Sequence, residues 1–254
     1  MSHERFAREL DEHRRARLAS VGAPHGTASL RHTHWLGAEA GEFAGAPGRW
    51  RADGSSVLGT GLAPVLDSGE DAVRLAPGDE LRAGGLLLRA FERDGALALR
   101  VFDPASPGRL VLEGIDAYPA ALDLVVTGRF APAAEGERLD VAAVDGHVSS
   151  DPLGGVVEFA LDGVPLTLTV TPSGDAYFAV FADATSGEES YRFRFLRVEA
   201  PAADGTTTLD FNRAYLPPCA FSDQYVCPLP PLGNRWPVAV RAGERMPVRR
   251  AAAA

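Results

Sequence analysis

The sequence predicts an all-β protein, mainly an antiparallel sandwich or barrel, with one N-terminal α-helix and a proline-rich C-terminal loop. Three observations carry that expectation. Asp94-Gly95 and Asp162-Gly163 each stand between apolar runs, the strongest short-range signal for a type I′ hairpin. Strand-length apolar runs recur about every ten residues with no helical period between them, which argues against βαβ units. The chain also holds 27 Gly and 19 Pro, enough to supply many turns. With 254 residues, 46% of them apolar and 23% charged, a sizeable core is available and disorder is excluded.

Taken in order, Ser2 is placed to cap a helix running to about Ala19. Phe6, Leu10 and Leu18 supply its apolar stripe, and Glu4/Arg8 and Asp11/Arg15 stand at i, i+4 spacing. After Pro24, strands are expected at Leu30–Leu36, Val57–Leu66 and Ala72–Leu75, each bounded by Gly, Pro or Asp. Leu86–Glu92 pairs with Leu97–Phe102 across the first Asp-Gly turn, and Val156–Leu161 with Leu166–Val170 across the second. Further strands are expected at Arg109–Glu113, Leu122–Phe130, Leu139–Val144, Tyr177–Phe181, Tyr191–Val198 and Thr206–Phe211. The length fits one β-rich domain over residues 1–254, or two intimately packed β sub-domains joined near Ala131–Gly136, where APAAEG reads as a linker. From Ala214 to Pro237, Pro217, Pro218, Pro228, Pro230, Pro231 and Pro237 forbid a regular helix or a central strand.

Charge and composition exclude several functions. The net charge of −9 lacks the basic footprint of a nucleic-acid or anionic-membrane binder, so neither partner is expected. Every basic residue is Arg, which removes Schiff-base chemistry and the Walker-type phosphate lysine. The Ala, Arg, Gly and Pro excess reads as coding from a GC-rich bacterial genome, so the missing Lys needs no functional cause. No run approaches the roughly 20 apolar residues of a spanning helix, and MSHERFAREL lacks the apolar stretch of a signal peptide. A cytoplasmic location is the expectation. Neither a G-x-S-x-G elbow nor a G-x-G-x-x-G between strand and helix occurs, and Gly59-Thr60-Gly61 lacks both the context and the third Gly.

The stretch Asp210–Glu244, DFNRAYLPPCAFSDQYVCPLPPLGNRWPVAVRAGE, resembles the C-terminal signature of the domain of unknown function 1684 family. HWL at His34–Leu36, GRF at Gly128–Phe130, FADATSGEESY at Phe181–Tyr191 and RFL at Arg194–Leu196 agree in order. The resemblance implies a bacterial or archaeal β-rich protein and supplies no catalytic residues to carry over. Members often have Asn-Pro-Pro where Leu216-Pro217-Pro218 stands here, so no polar role at position 216 carries over.

The densest polar set, Asp210, Asn212, Arg213, Tyr215, Cys219, Asn234 and Arg235, gathers on the proline-rich segment beside Trp236. A stiff loop holds side chains in place with little ordering cost, which suits a ligand site. The competing reading has the same groups satisfying loop amides and carbonyls that regular pairing cannot reach, and it is favoured. Asp183 and Ser186 stand in a D-x-T-S-G turn that turn chemistry explains, with ligand contact as the alternative. Cys219 and Cys227, with seven residues between them, read first as buried thiols, then as a loop-closing disulfide, then as a nucleophilic or metal-ligating thiol. His32 and His34 share one face of a strand and would suit a metal pair, with His147 the other imidazole considered, but Trp35 and Leu36 favour core packing.

Function stays open among three classes. The leading one is a module binding a small carboxylate- or phosphate-bearing molecule, clamped by Arg213 or Arg235 and walled by Tyr215, Phe221 and Trp236. The second is an enzyme using Asp210, Asn212 and Cys219, with or without a metal; the third is an oligomer contact formed by the loop. No cofactor is implied, and no catalytic residue or oligomeric state is assigned.

Overall fold

The computed structural model describes residues 3–250. Apart from one N-terminal helix and short helical turns, the chain is antiparallel β structure, as the turn-rich sequence predicts. Helix α1 covers His3–Val21, with Phe6, Leu10 and Val21 buried and an Arg5–Glu9 ion pair on its exposed side. Ser2, expected as its cap, lies outside the described residues. No described helix is long and apolar enough to cross a membrane.

The chain divides into two compact units. The first comprises Arg17–Leu112, Phe221–Tyr225 and the residues from Arg249. Its strands are β1 (Leu30–Trp35), β2 (Gly41–Phe43), β3 (Ala46–Asp53), β4 (Ser56–Thr60), β5 (Ala72–Leu75), β6 (Glu80–Ala83), β7 (Leu86–Arg93) and β8 (Ala96–Phe102). They form two four-stranded sheets, β1-β8-β7-β6 and β2-β3-β4-β5, with Trp50, Val57, Leu88, Leu99 and Val101 in one shared core. Trp50 on β3 lies opposite Gly59 on β4, and a Cβ at 59 would stand 2.5 Å from the indole. Gly59 therefore serves packing, which explains that Gly-Thr-Gly without any nucleotide. Asp94 (φ 49°) and Gly95 (φ 82°) make the expected left-handed turn between β7 and β8.

The second unit comprises the N-terminal residues to Ala16, Glu113–Ala220 and Val226–Val248. Its strands are β9 (Leu112–Ala117), β10 (Val125–Pro132), β11 (Arg138–Ala142), β12 (Val148–Pro152), β13 (Gly155–Leu161), β14 (Val164–Ser173), β15 (Ala176–Phe181), β16 (Arg194–Val198), β17 (Thr206–Asp210) and β18 (Glu244–Arg249). Six of them form one antiparallel sheet, β16-β15-β14-β13-β10-β17, curled so that its edge strands approach each other. Val157, Leu168, Phe181, Leu196, Leu209 and Phe211 fill it, and Trp236, Val240 and Ala242 of the C-terminal segment complete the same core. Asp162 (φ 51°) and Gly163 (φ 77°) form the second expected hairpin turn. APAAEG, read as a linker, runs from the end of β10 toward β11 inside this unit.

Several local expectations are corrected. Arg109–Glu113 does not open as a strand: Ser106 caps a short helix α2, Pro107–Leu110, with Pro at its start, and the strand begins at Leu112. The Val57–Leu66 run stops at Thr60 because Gly61 turns the chain at φ 72°. Leu122–Leu124 and Phe211 belong to 3-10 turns, and Tyr191–Phe193 precede their strand. Strands β2, β3, β6, β12 and β18 were not expected, since GEF, APGRWRAD, ELRA, VSSDP and ERMPVR lack an apolar alternation.

Candidate functional site

Most of the polar residues singled out by sequence are used by the backbone around them. Asp210 closes strand β17 and caps the following turn, accepting bonds from the Asn212 amide (3.1 Å), Asn212 Nδ2 (3.0 Å) and Arg213 Nε (3.2 Å). Asn212, buried, accepts from the Ala121 N–H and donates to the Ala121 carbonyl, both at 2.8 Å, as a paired strand residue would. Arg213 lies on the surface. Asn234 makes the same kind of substitution: strands β14 and β15 pair only from Thr171/Phe178 to Ser173/Ala176. Beyond that, the Asn234 amide accepts from Thr169 N (2.7 Å) and donates to Thr169 O and Val180 O (both 2.9 Å). Each asparagine supplies a donor and an acceptor to backbone that regular pairing does not reach, Asn234 where the β14/β15 ladder stops and Asn212 at Ala121 outside any strand. Leu216 is buried, and its N–H donates to Glu244 Oε2 at 2.7 Å, so this position is filled by core packing.

Asp183 and Ser186 are likewise structural in their contacts. Asp183 Oδ1 accepts from Thr185 N (2.7 Å) and Oγ1 (2.6 Å), and Oδ2 accepts from Val240 N (3.2 Å) and Arg194 Nη2. Ser186 Oγ accepts from Asp183 N at 3.0 Å. Burial pulls the Arg194 guanidinium below its ordinary range, opposed by Asp183 beside it.

Two features remain with chemistry to offer. The first is an open cleft of about 610 Å³. Its lining comes from the β13–β14 hairpin (Glu158, Phe159, Pro165, Leu166, Thr167) and from Leu232–Gly233 and Arg235–Pro237. Arg235 Nε donates to Pro230 O at 3.2 Å, its one hydrogen bond through the side chain among the described residues. Trp236 forms a buried wall, its Nε1 donating to Thr167 O (3.0 Å) and Gly233 O (3.2 Å). Leu232 is 86% exposed at the rim.

The second is a pair of cysteines, both thiols, at the start and end of the loop spanning 220–226. The Cys219 amide donates to Cys227 Sγ at 3.3 Å, and the Tyr191 hydroxyl donates to Cys219 Sγ at 3.7 Å and to the Cys219 carbonyl at 3.3 Å. The Arg192 guanidinium lies 5.7 Å from the Tyr191 ring centre. Hydrogen bonding from Cys227, then Tyr191 and Arg192, outweighs burial and brings the Cys219 thiol down to about 6. Burial and the bond to Cys219 push Tyr191 up to about 12. In the sequence Tyr191 and Arg194 stand out only as parts of the FADATSGEESY and RFL motifs, because their roles depend on which strands become neighbours.

Other candidates resolve into packing or surface pairing. His32 and His34 stack at 5.1 Å, and His34 Nε2 lies 2.9 Å from Ala44 O. Burial and the neighbouring His34 lower His32. Among the described residues no three His, Cys, Asp or Glu side chains come together as a metal site would require. Tyr215 packs edge-on to Phe195 at 5.7 Å, and Phe221, buried in the first unit, faces the Arg17 guanidinium at 5.8 Å. The first unit also has two open clefts sharing His25 and Arg82, of about 580 and 470 Å³.

A model of the family described as "Protein of unknown function (DUF1684)" matches residues 111–245. The chain belongs to the DUF1684 family. The matched region holds both asparagine plugs, the Asp183–Arg194 pair, the cleft and the two cysteines, and it falls almost wholly within the second unit. No curated protein matches this DUF1684 chain. Among solved structures it is similar to an uncharacterized protein of Haloarcula marismortui determined by solution NMR, at 31% identity and a TM-score of 0.44. That alignment covers 52% of this chain and 76% of the Haloarcula marismortui one.

Proposed function

We propose that this DUF1684 protein is a small-molecule binding module whose ligand, a compact carboxylate with an apolar body, sits in the cleft between the β13–β14 hairpin and the Leu232–Pro237 turn. The observation that carries the reading is Arg235: its Nε donates to Pro230 O, which sets this exposed guanidinium on the lining of a cleft walled by Phe159, Leu166, Trp236 and Pro237. A pre-positioned guanidinium beside aromatic walls matches carboxylate recognition with little ordering cost. Glu158 on the same lining disfavours a dianion and so favours a carboxylate over a phosphate. Arg213, the other guanidinium considered for the clamp, is engaged with Asp210. A cytoplasmic location accompanies this reading, in keeping with a chain that has only two cysteines, too few for a disulfide framework.

The test is a thermal-shift screen of carboxylate-bearing metabolites on the full chain, repeated with Arg235→Ala and Arg213→Ala. A ligand at 100 times its Kd raises stability by about 2.7 kcal/mol. The expected hit is lost in Arg235→Ala and kept in Arg213→Ala. Absence of any hit, or a hit that survives Arg235→Ala, overturns the proposal.

A further inference from the structure

We propose that Cys219 and Cys227 form a redox-active dithiol, in which Cys219 reduces hydroperoxides and Cys227 resolves the product as a disulfide. The argument begins with position. Cys219 lies in a 3-10 turn, Pro218–Ala220, and is half-buried, so a molecule the size of hydrogen peroxide has access while bulk solvent is restricted. Cys227 is buried, and its sulfur sits 3.3 Å from the Cys219 amide nitrogen. Cys227 is also the foremost hydrogen-bonding neighbour of the Cys219 thiol, so the two sulfurs are neighbours.

The surroundings favour an anion on Cys219. Tyr191 donates its hydroxyl proton to the sulfur at 3.7 Å, and burial keeps that phenol protonated through the neutral range. Arg192, with its guanidinium 5.7 Å from the Tyr191 ring centre, adds positive charge on the same side. The groups facing Cys219 are therefore a phenol, a guanidinium and a second thiol, of which the guanidinium is the kind of neighbour that favours a thiolate. Prolines 217, 218 and 228 flank both cysteines and fix the backbone φ beside them.

The chemistry balances with a hydroperoxide as the oxidant. The Cys219 thiolate attacks the peroxide oxygen, the O–O bond breaks, and the departing hydroxide takes a proton from solvent to leave as water. Cys219 then carries a sulfenic acid. The Cys227 sulfur attacks that sulfur; the S–S bond forms, the S–O bond breaks, and a second water leaves with the Cys227 proton. Two thiols are oxidised by two electrons and one hydrogen peroxide is reduced to two waters. A thiol reductant reverses the disulfide by exchange through a mixed disulfide.

The test uses the reduced full chain, treated with one equivalent of hydrogen peroxide, quenched with an alkylating reagent and mapped by peptide mass spectrometry. The expected product is an intramolecular 219–227 disulfide that dithiothreitol returns to two thiols. Cys227→Ser is expected to stop at a sulfenic acid on Cys219 that dimedone traps, and Cys219→Ser to lose dimedone labelling. Tyr191→Phe is expected to raise the pH of half-maximal Cys219 alkylation, a shift that a purely structural hydroxyl would not produce. Should Cys227→Ser fail to fold, dimedone trapping on the parent at early times reports the same order of events. Two thiols that survive the peroxide, labelling that starts on Cys227, or intermolecular disulfides alone overturn the proposal. Because Arg235 takes no part, these outcomes are independent of the ligand screen.

Discussion

Arg194 and Asp183 form an ion pair in which both side chains are fully buried. Arg194 also donates to the carbonyls of Val240 and Ala242, and Asp183 accepts from the amides of Thr185 and Val240, so one pair of charges ties strand β16, the turn after β15 and the segment before β18 together. Arg194 Nε has no hydrogen-bond partner among the described residues, which leaves Asp183 as the group that neutralises its charge.

Removing the carboxylate strands a buried cation, a loss of about 3–5 kcal/mol for pairs of this kind. Asp183→Ala is therefore expected to destabilise by that order, with chemical denaturation as the measurement. A midpoint equal to the parent's would show that the charge finds water or another acid.

At the hairpin turns the cost is conformational. Gly95 (φ 82°) and Gly163 (φ 77°) have nothing within 4 Å of an added Cβ, so Val at either position meets only the backbone strain of a left-handed conformation, about 1–2 kcal/mol. Gly59→Val is expected to lose more, because its Cβ would stand 2.5 Å from the Trp50 indole. Thermal melts of the three variants should rank in that order.

Both Asp-Gly hairpins were legible because a turn is written in adjacent residues, and Asp94 and Asp162 adopt the left-handed conformation their neighbours require. Strand β3 was not, since APGRWRAD owes its place to pairing with β4 and to one buried indole. The segment from Ala214 to Pro237 was legible as a place where polar and aromatic residues gather. Which of them are taken up by backbone was not, because Asn234 finds Thr169 and Val180 only after strands β14 and β15 have splayed apart. Glu158 and Phe159 of the cleft carried no signal beyond ordinary strand alternation.

That division predicts different outcomes for residues that look alike in sequence. Asn234→Ala leaves Thr169 N, Thr169 O and Val180 O short of a partner and is expected to cost about 2–3 kcal/mol. Arg213→Ala removes only an exposed pair with Asp210, worth at most about 1 kcal/mol. Equal melting temperatures for the two variants would contradict the assignment of Asn234 as a ladder substitute.

The Cys219 thiol titrates at about 6 in the fold against an ordinary 9.0, so its anion is stabilised by folding. The linked stability is fully present above pH 9.0 and is lost as pH falls through 6. Alkylation of Cys219 is expected to be half-maximal near pH 6, while Cys219→Ser should flatten the rise in stability across the same interval. A half-maximum near the ordinary thiol value would remove the argument for an activated sulfur.

Trp236 joins the fold to the cleft, so its variants separate anchoring from recognition. Its ring stacks on Phe181 at 5.2 Å and meets Phe159 and Phe211 edge-on at 5.2 and 5.9 Å, while its backbone N–H donates to Ala182 O at 2.8 Å. Trp236→Ala empties the space among three aromatic rings and is expected to cost about 3–5 kcal/mol. Trp236→Phe keeps a ring there but loses the donor to Thr167 O and Gly233 O, a loss of about 1 kcal/mol. In the ligand screen, Trp236→Phe should retain the Arg235-dependent shift because an aromatic wall remains, whereas Trp236→Ala should lose both stability and binding. If Trp236→Ala melts like the parent, the segment from Ala214 to Pro237 is not held by this residue, and Arg235 loses the fixed position on which carboxylate recognition depends.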